Sequence, residues 1–474
     1  MTVVQEIQAR AGENPDHPAL VEQNAEGTTR SLTYRELVAR VDEAANAMNH
    51  QGLRPSDRVG LLAPQGKEYI LHALAVIQAG FCLVPIADDY SGEALEGFCR
   101  KASLHGLINL RDGHPLKVFR NVPPVDGSGD EAFRQLHPAY LRFTSGTTHE
   151  RKGVILGHRA ILDRLVAANR ALRIGPEDRV LWLLPIAHHL VVSIFLYLRF
   201  GATVLLPYRN LPEPLLSLAE VWKPTIFYAS PYHYEMIAQA GHHQGLEKVR
   251  LAISTATALS ESAARRFYEA TEIPLSQALG VIEMGLPVIN LERPVDKPLS
   301  LGQVLPDYEV WLRREDGTRV RETGAEAGVG EICIRGPGAF DAYLNPWVPA
   351  RQALEPDGFR TGDLGYFDQD GDLFLLGRRH NRINMAGMKF FCEEVEQVLE
   401  EHPAIRECRV FGKPHPHLGE IPLVELVLTP GAEAPDQREL SRFCQGRLSR
   451  HKIPVEVTVV EALAKTPTGK IRRW

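Results

Sequence analysis

The sequence predicts an α/β protein: a large N-terminal α/β body with a β-rich closing portion, then a small C-terminal α+β domain. Three observations predict it. Helix and strand signals alternate from residue 33 to residue 254. Turns and short strands take over from about Glu315. A polar cluster, Arg378-Arg379-His380-Asn381-Arg382, then separates this body from a second, shorter run of helix and strand signals.

In chain order, Thr33-Tyr34-Arg35-Glu36 reads as a capping box. Leu37, Val41, Ala44, Ala45 and Met48 follow at helical spacing until Gly52, so a helix is expected over roughly 34–50. Arg58 to Ala63 reads as a strand, Glu68 to Gln78 as a helix ending near Gly80, and Cys82 to Ile86 as a strand. Further strands are expected at Val180–Leu184, Thr203–Leu206, Thr225–Tyr228 and Arg250–Ser254. The turns Glu315-Asp316-Gly317 and Asp370-Gly371-Asp372 flank β-rich runs that include Gly330 to Gly336. Beyond the polar cluster come a helix carrying Val395, Val398 and Leu399, strands near Arg409–Phe411 and Pro422–Leu428, a helix around Glu439–Leu448 and a strand at Val455–Val460. These divide the chain into a large domain, 1–379, and a small one, 380–474, of about 95 residues.

The composition bounds the function. The 474 residues amount to about three domains on a prior of roughly 150 each. Hydrophobic residues at 44% and charged residues at 24% can build a large core and exclude a disordered chain. Lys and Arg number 53 against 59 Asp and Glu, a net −6, so no nucleic-acid partner is expected. The six cysteines form no C-x-x-C pair and Met1–Arg10 lacks a secretory h-region, so a cytoplasmic location is expected. Val180–Leu198 lacks Asp, Glu, Lys and Arg, yet Pro185, His188, His189 and Ser193 interrupt it. A buried strand, a loop and a buried helix are expected there, with no integral membrane span.

The segment Tyr140-Leu141-Arg142-Phe143-Thr144-Ser145-Gly146-Thr147-Thr148-His149-Glu150-Arg151-Lys152-Gly153 carries the most chemistry. An apolar lead-in runs into four hydroxyls around a glycine, then two cations. Hydroxyls and open N–H groups can surround phosphate oxygens and the cations balance their charge. Composition alone leaves a hydrophilic turn as the alternative, and no Walker loop is present.

In this segment the chain resembles the adenylate-forming superfamily, which includes acyl-CoA synthetases, non-ribosomal peptide synthetase adenylation domains and firefly-type luciferases. Its phosphate loop reads S-G-T-T-G-x-P-K-G, and this sequence departs from it at His149 and Arg151. Matches continue in order from 140 to 474. Phe359-Arg360-Thr361-Gly362-Asp363 resembles aromatic-x-T-G-D, which implies that Asp363 holds the ribose hydroxyls of ATP; a carboxylate can accept from both. Gly377-Arg378 resembles the nucleotide-contacting G-R, and His380 falls at the hinge. Ala464-Lys465-Thr466-Pro467-Thr468-Gly469-Lys470 resembles P-x-T-x-x-G-K, which implies that Lys470 bridges the substrate carboxylate and the α-phosphate. Leu279-Gly280-Val281-Ile282-Glu283 resembles Y-G-x-T-E without its Tyr and Thr.

The resemblance implies an active site in the cleft between the domains. ATP would be held by Thr144, Ser145, Gly146, Thr147, Thr148, Lys152, Asp363 and Arg378, and Mg²⁺ by Glu283 with Thr148. Lys470, Glu283 and the gate residue His188 are the catalytic candidates. His189, Tyr228, Ala258, Ala278, Leu279 and Met284 are the acid-pocket candidates, with a core histidine as the other reading of His188 and His189. No Asp follows His189 to match a substrate ammonium, and the lining is mostly apolar, so an aryl acid is expected ahead of a medium-chain aliphatic one.

The implied activity is ATP-dependent formation of acyl-AMP, then transfer to a thiol, either CoA or the phosphopantetheine of a separate acyl carrier protein. No carrier domain is expected after Lys470. His149, Arg151, Leu279 and Ile282 motivate a rival, a nucleotide-binding pseudoenzyme or regulatory subunit.

Overall fold

The computed structural model describes residues 1–111, 113–120, 122, 129–143, 152–255, 257, 259–320, 328–354, 358–386, 388–465 and 471–472. Thr33 and Glu36 cap each other as the sequence predicts: Glu36 N donates to Thr33 Oγ1 at 3.2 Å and Thr33 N to Glu36 Oε2 at 2.8 Å. The helix they start runs Tyr34–Asn49 and buries Leu37, Val41, Ala45 and Met48. Burying an aliphatic side chain of this size contributes about 2 kcal/mol. A second capping box, Thr2 with Gln5, starts an N-terminal helix, Val3–Glu13, that the sequence reading did not assign.

Strands fall close to their expected places. Arg58–Leu62, Cys82–Pro85, Arg179–Trp182, Thr203–Leu206, Ile226–Ala229 and Leu251–Ser254 are all present. Arg179–Trp182, Thr203–Leu206, Ile226–Ala229, Leu251–Ser254 and Leu275–Val281 pair in parallel. From Leu275–Val281 the same sheet continues antiparallel through Gly285–Ile289 and Ser300–Val304 to Leu373–Arg378. The change of texture near Glu315 is therefore not a break in the sheet. Among the described residues this sheet has 14 strands, spanning the parallel core and the β-rich closing portion.

A second sheet, of 8 strands, places Pro138–Phe143 between Cys82–Pro85 and Gly153–Gly157. On the far side of Gly153–Gly157 lies Ala342–Leu344, with Tyr343 opposite Val154. That register sets Tyr343 beside the strand entered from Lys152. Val180–Leu198 forms the end of a strand followed by the helical run Ile186–His189, Leu190–Ile194 and Phe195–Arg199, whose middle part is a π-helix. No helix among the described residues is long and apolar enough to cross a membrane.

Among the described residues the third sheet has 5 strands and draws only on residues from Arg382 onward. Its core, which includes Ile383, Val395, Leu399, Val410, Leu426 and Leu440, is a separate apolar cluster. Two expectations here need adjustment. The strand expected near Arg409–Phe411 extends over Ile405–His415, because it pairs along its length with Gly419–Leu428. The helix expected to reach Leu448 stops at Cys444, and Gly446 follows in the left-handed region at φ 82°.

Candidate functional site

Side chains alternate along a strand, so Tyr140 and Arg142 in Pro138–Phe143 share a face. Both reach the short helix Ile186–His189. Tyr140 OH donates to Ala187 O at 3.4 Å, and the Arg142 guanidinium donates to His188 O. Ser193, one turn on in the π-helix, donates through Oγ to His189 O. Three successive carbonyls are thus held by side chains at the entry to a π-helix, a local form often found at functional sites.

His188 is half-buried, and its Nε2 is buried without a hydrogen-bond partner among the described residues. Burial first, and then the Arg142 charge, push the imidazole down to about 3, so it is neutral at physiological pH. His189 instead meets aromatic rings edge-on, Trp182 at 6.0 Å and Tyr228 at 6.3 Å. Trp182 and Tyr228 stack at 4.7 Å and 15°, and Tyr197 closes the group edge-on. Burial raises the Tyr228 phenol well above its ordinary value, so the group stays uncharged. Trp182 and Tyr197 are buried, so this aromatic cluster forms a rigid apolar backing behind His189 and Tyr228.

Glu283 lies on the turn between Leu275–Val281 and Gly285–Ile289. Its backbone is pinned from two sides. Arg164, 2% exposed, donates through Nη1 to Ile282 O at 2.8 Å and through Nε to Gly338 O at 3.1 Å. Phe340 N donates to Glu283 O at 2.8 Å. Gly338, at φ 71°, is required there, since a Cβ would sit 2.5 Å from Ala160 O.

The Glu283 carboxyl is buried, and burial raises its pKa. Opposing that shift are a 3.1 Å hydrogen bond from Tyr343 OH to Oε1 and the charges of Arg142 and Arg378. Lys152 Nζ lies 5.0 Å from the centre of the Tyr343 ring, so one tyrosine touches both Lys152 and the buried acid. Met284 is 1% exposed and Leu279 8%, while Ala278 and Tyr228 pack half-buried against the same core.

Asp363 and Arg378 face each other on neighbouring strands, Phe359–Phe367 and Leu373–Arg378, with Arg378 Nε 2.6 Å from Asp363 Oδ1. Thr361, two residues before Asp363 in the same strand, bonds both. Its Oγ1 accepts from Asp363 N at 3.0 Å, and its carbonyl accepts from Arg378 Nη1 at 3.2 Å. The Arg378 charge acts on Glu283 as well, so the two clusters lie within electrostatic reach.

Beyond Arg378 the chain turns toward the small domain. Asn381 Nδ2 donates to Glu393 Oε1 at 2.5 Å, while Arg382 and Lys389 meet Glu315 at 2.7 and 3.2 Å. Thr144, Ser145, Gly146, Thr147, Thr148, Ala258 and Lys470 lie outside the described residues.

The chain matches the AMP-binding enzyme family over residues 7–344 and the AMP-binding enzyme C-terminal domain over 394–470. It belongs to the AMP-binding enzyme family. Similar relatives include the oxalate–CoA ligase of Arabidopsis thaliana, 27% identical over 94% of this chain and 92% of that protein. The 4-chlorobenzoate–CoA ligase of an Arthrobacter species is 26% identical over 93% of this chain and 89% of that protein. Among solved structures, o-succinylbenzoate CoA synthetase from Bacillus subtilis, in complex with its acyl-adenylate intermediate, superposes with a TM-score of 0.85. That match covers 99% of this chain and 96% of that one at 23% identity, and supports the fold.

In this AMP-binding enzyme the structure brings His189 and Tyr228 into one group, Glu283 and Lys152 into a second through Tyr343, and Asp363 and Arg378 into a third, while His188 is joined through its carbonyl to Arg142. Sequence reasoning missed Arg142, Arg164 and Tyr343. A charged residue inside an apolar strand, directly before the hydroxyl-rich loop, was the available signal for Arg142. Tyr343 offered none, because its partner Glu283 is 60 residues away. One further acidic group, Asp368, Asp370 and Asp372, converges like a cation site, but Lys297 Nζ sits 2.5, 2.6 and 2.9 Å from the three carboxylates and already supplies the charge.

Proposed function

We propose that this protein is an ATP-dependent acid–thiol ligase that converts an aryl carboxylic acid to acyl-AMP and then to a thioester. The observation that carries this reading is the Glu283–Tyr343–Lys152 cluster within electrostatic reach of the Asp363–Arg378 pair and of Arg142, which bonds the His188 carbonyl. Ligases for aryl and small organic acids among the relatives support the same reaction class.

In the first step a carboxylate oxygen of the acid attacks the α-phosphorus of ATP. The carboxyl–phosphorus bond forms, the bond to the β-phosphate oxygen breaks, and pyrophosphate leaves. Asp363 accepts the ribose hydroxyls, and Arg378, already paired to it, orients that carboxylate. Lys152 and the hydroxyls of Thr144 to Thr148 cradle the phosphates. Lys470 meets the charge that grows as pyrophosphate departs.

Glu283 fits Mg²⁺: its Oε1 is oriented by Tyr343, and oxygen ligands suit this ion. Bound there with Thr148, the ion would neutralise phosphate charge. Tyr228 and His189, backed by Trp182, receive the aryl ring. In the second step the small domain, 380–474, turns about His380 and withdraws Lys470. The thiolate of CoA then attacks the acyl carbon, the carbon–sulfur bond forms and AMP leaves.

Acid-dependent exchange of labelled pyrophosphate into ATP, run over benzoates, hydroxybenzoates and medium-chain fatty acids, tests the first step. Aryl acids are expected to drive exchange, and Lys470→Ala to cut it by at least ~10²-fold. A folded sample with no acid-dependent exchange would instead be a nucleotide-binding protein without catalysis. Thioester formation with free CoA, compared with a phosphopantetheinylated carrier protein, decides the acceptor.

A further inference from the structure

Arg142 is a half-buried cation that the reaction scheme above leaves without a task. Its Nε is buried and takes no hydrogen-bond partner among the described residues, and no carboxylate there lies within ion-pair distance of it. Burial lowers its pKa, with Tyr140 and Glu283 opposing that shift, so holding this charge costs stability. Among the described residues its side chain bonds His188 O, 46 residues along the chain. Tyr140, two residues earlier on the same strand face, bonds the neighbouring carbonyl of Ala187, and Gln65 Oε1 accepts from Ile186 N at 2.8 Å. The turn bearing His188 therefore hangs from the strand that leads directly into the Thr-rich phosphate loop. His188 Nε2 sits at the end of this arrangement, buried and without a partner among the described residues, and a polar atom in that state calls for a ligand.

We propose that Arg142 is a positioning residue for acid selection: by holding the His188 carbonyl it fixes the turn so that Nε2 of the neutral imidazole meets the incoming acid. This rests on the reading of His188 as the residue that contacts the acid. Arg142 itself touches neither acid nor nucleotide. Removing it loosens a contact made in the ground state and the transition state alike, so the loss falls on KM for the acid.

The test is a double-mutant cycle in the full chain, read by pyrophosphate exchange with the best benzoate. Arg142→Met is expected to raise KM for the acid by about tenfold while kcat and KM for ATP stay within about twofold, and this loss should vanish in the His188→Ala background. Arg142→Lys keeps the charge and one donor but not the planar reach, so it should recover part of the loss and serves if the methionine variant does not fold.

Full additivity in the double variant would overturn the proposal, leaving the His188 reading intact. A loss confined to KM for ATP would also overturn it, by assigning Arg142 to Glu283. If His188→Ala leaves KM for the acid unchanged, the His188 reading fails and the proposal falls with it; the two failures are thus told apart.

Discussion

Arginine is used in opposite ways in the centre of the large body and along its seam with the small domain. In the centre, Arg164 is buried and Arg142 half-buried with its Nε enclosed, and both bond carbonyls, with no carboxylate in ion-pair range among the described residues. At the seam, Arg382 and Lys389 meet the exposed carboxylate of Glu315. A buried cation left without its acceptors, or acceptors left without their cation, carries a full desolvation penalty, whereas an exposed pair trades one solvated state for another. The contrast suits the proposed division of labour: a body that must hold its geometry, and a seam that must part.

The sharpest way to break this comparison is Arg164→Met. The carbonyls of Ile282 and Gly338 lose their donor, so unfolding in urea should show a loss of about 3 kcal/mol, and exchange activity should fall with the displaced Glu283. A loss below about 1 kcal/mol would mean that the carbonyls find other donors and that burial does not separate the two regions.

Next comes Asp363→Asn. It removes the acceptor that faces Arg378 and the proposed ribose contact together, so KM for ATP should rise by about tenfold or more in the exchange assay. An unchanged KM would remove Asp363 from the nucleotide site.

The pH dependence of stability sharpens the comparison, because the two domains respond with opposite sign. Burial holds His105, His188 and His233 neutral in the large body, with their pKa values lowered to about 4, 3 and 4. The unfolded chain binds protons near 6.5 that the folded body refuses, so stability is intact above that pH and falls as pH drops from 6.5 toward 4. In the small domain, loss of water at the Glu400 carboxyl, with the Glu396 and Glu407 charges beside it, raises its pKa to about 7 from 4.5. There the folded form takes the proton first, so acidification from 7 to 4.5 stabilises it. Calorimetric scans between these limits should show His188→Gln making the first slope shallower and Glu400→Gln abolishing the second.

The smallest effect is expected from Glu315→Gln. It leaves the unfolding midpoint within experimental scatter, because the pairs are solvated, and removes the salt sensitivity of the seam. A large stability loss would show that the seam is held as firmly as the body.

Much of this was legible before any coordinates. The Thr33–Glu36 cap marked the start of Tyr34–Asn49, and the Asp363 and Arg378 motifs, recognised by resemblance, proved to face each other across one strand pair. The positions of Glu283 and Lys152 were also recognised, but not what joins them.

The sequence by itself determined the local elements, the order of the motifs and the kinds of chemistry on offer, because capping, helical and strand periodicity and short motifs act over a few residues. Tertiary structure alone decided that Tyr343 bridges Lys152 to Glu283, that Arg142 carries the His188 turn, and that one sheet runs unbroken past Glu315. Those contacts join residues dozens of positions apart, and strand pairing with burial, not local preference, selects the partner of each buried polar group.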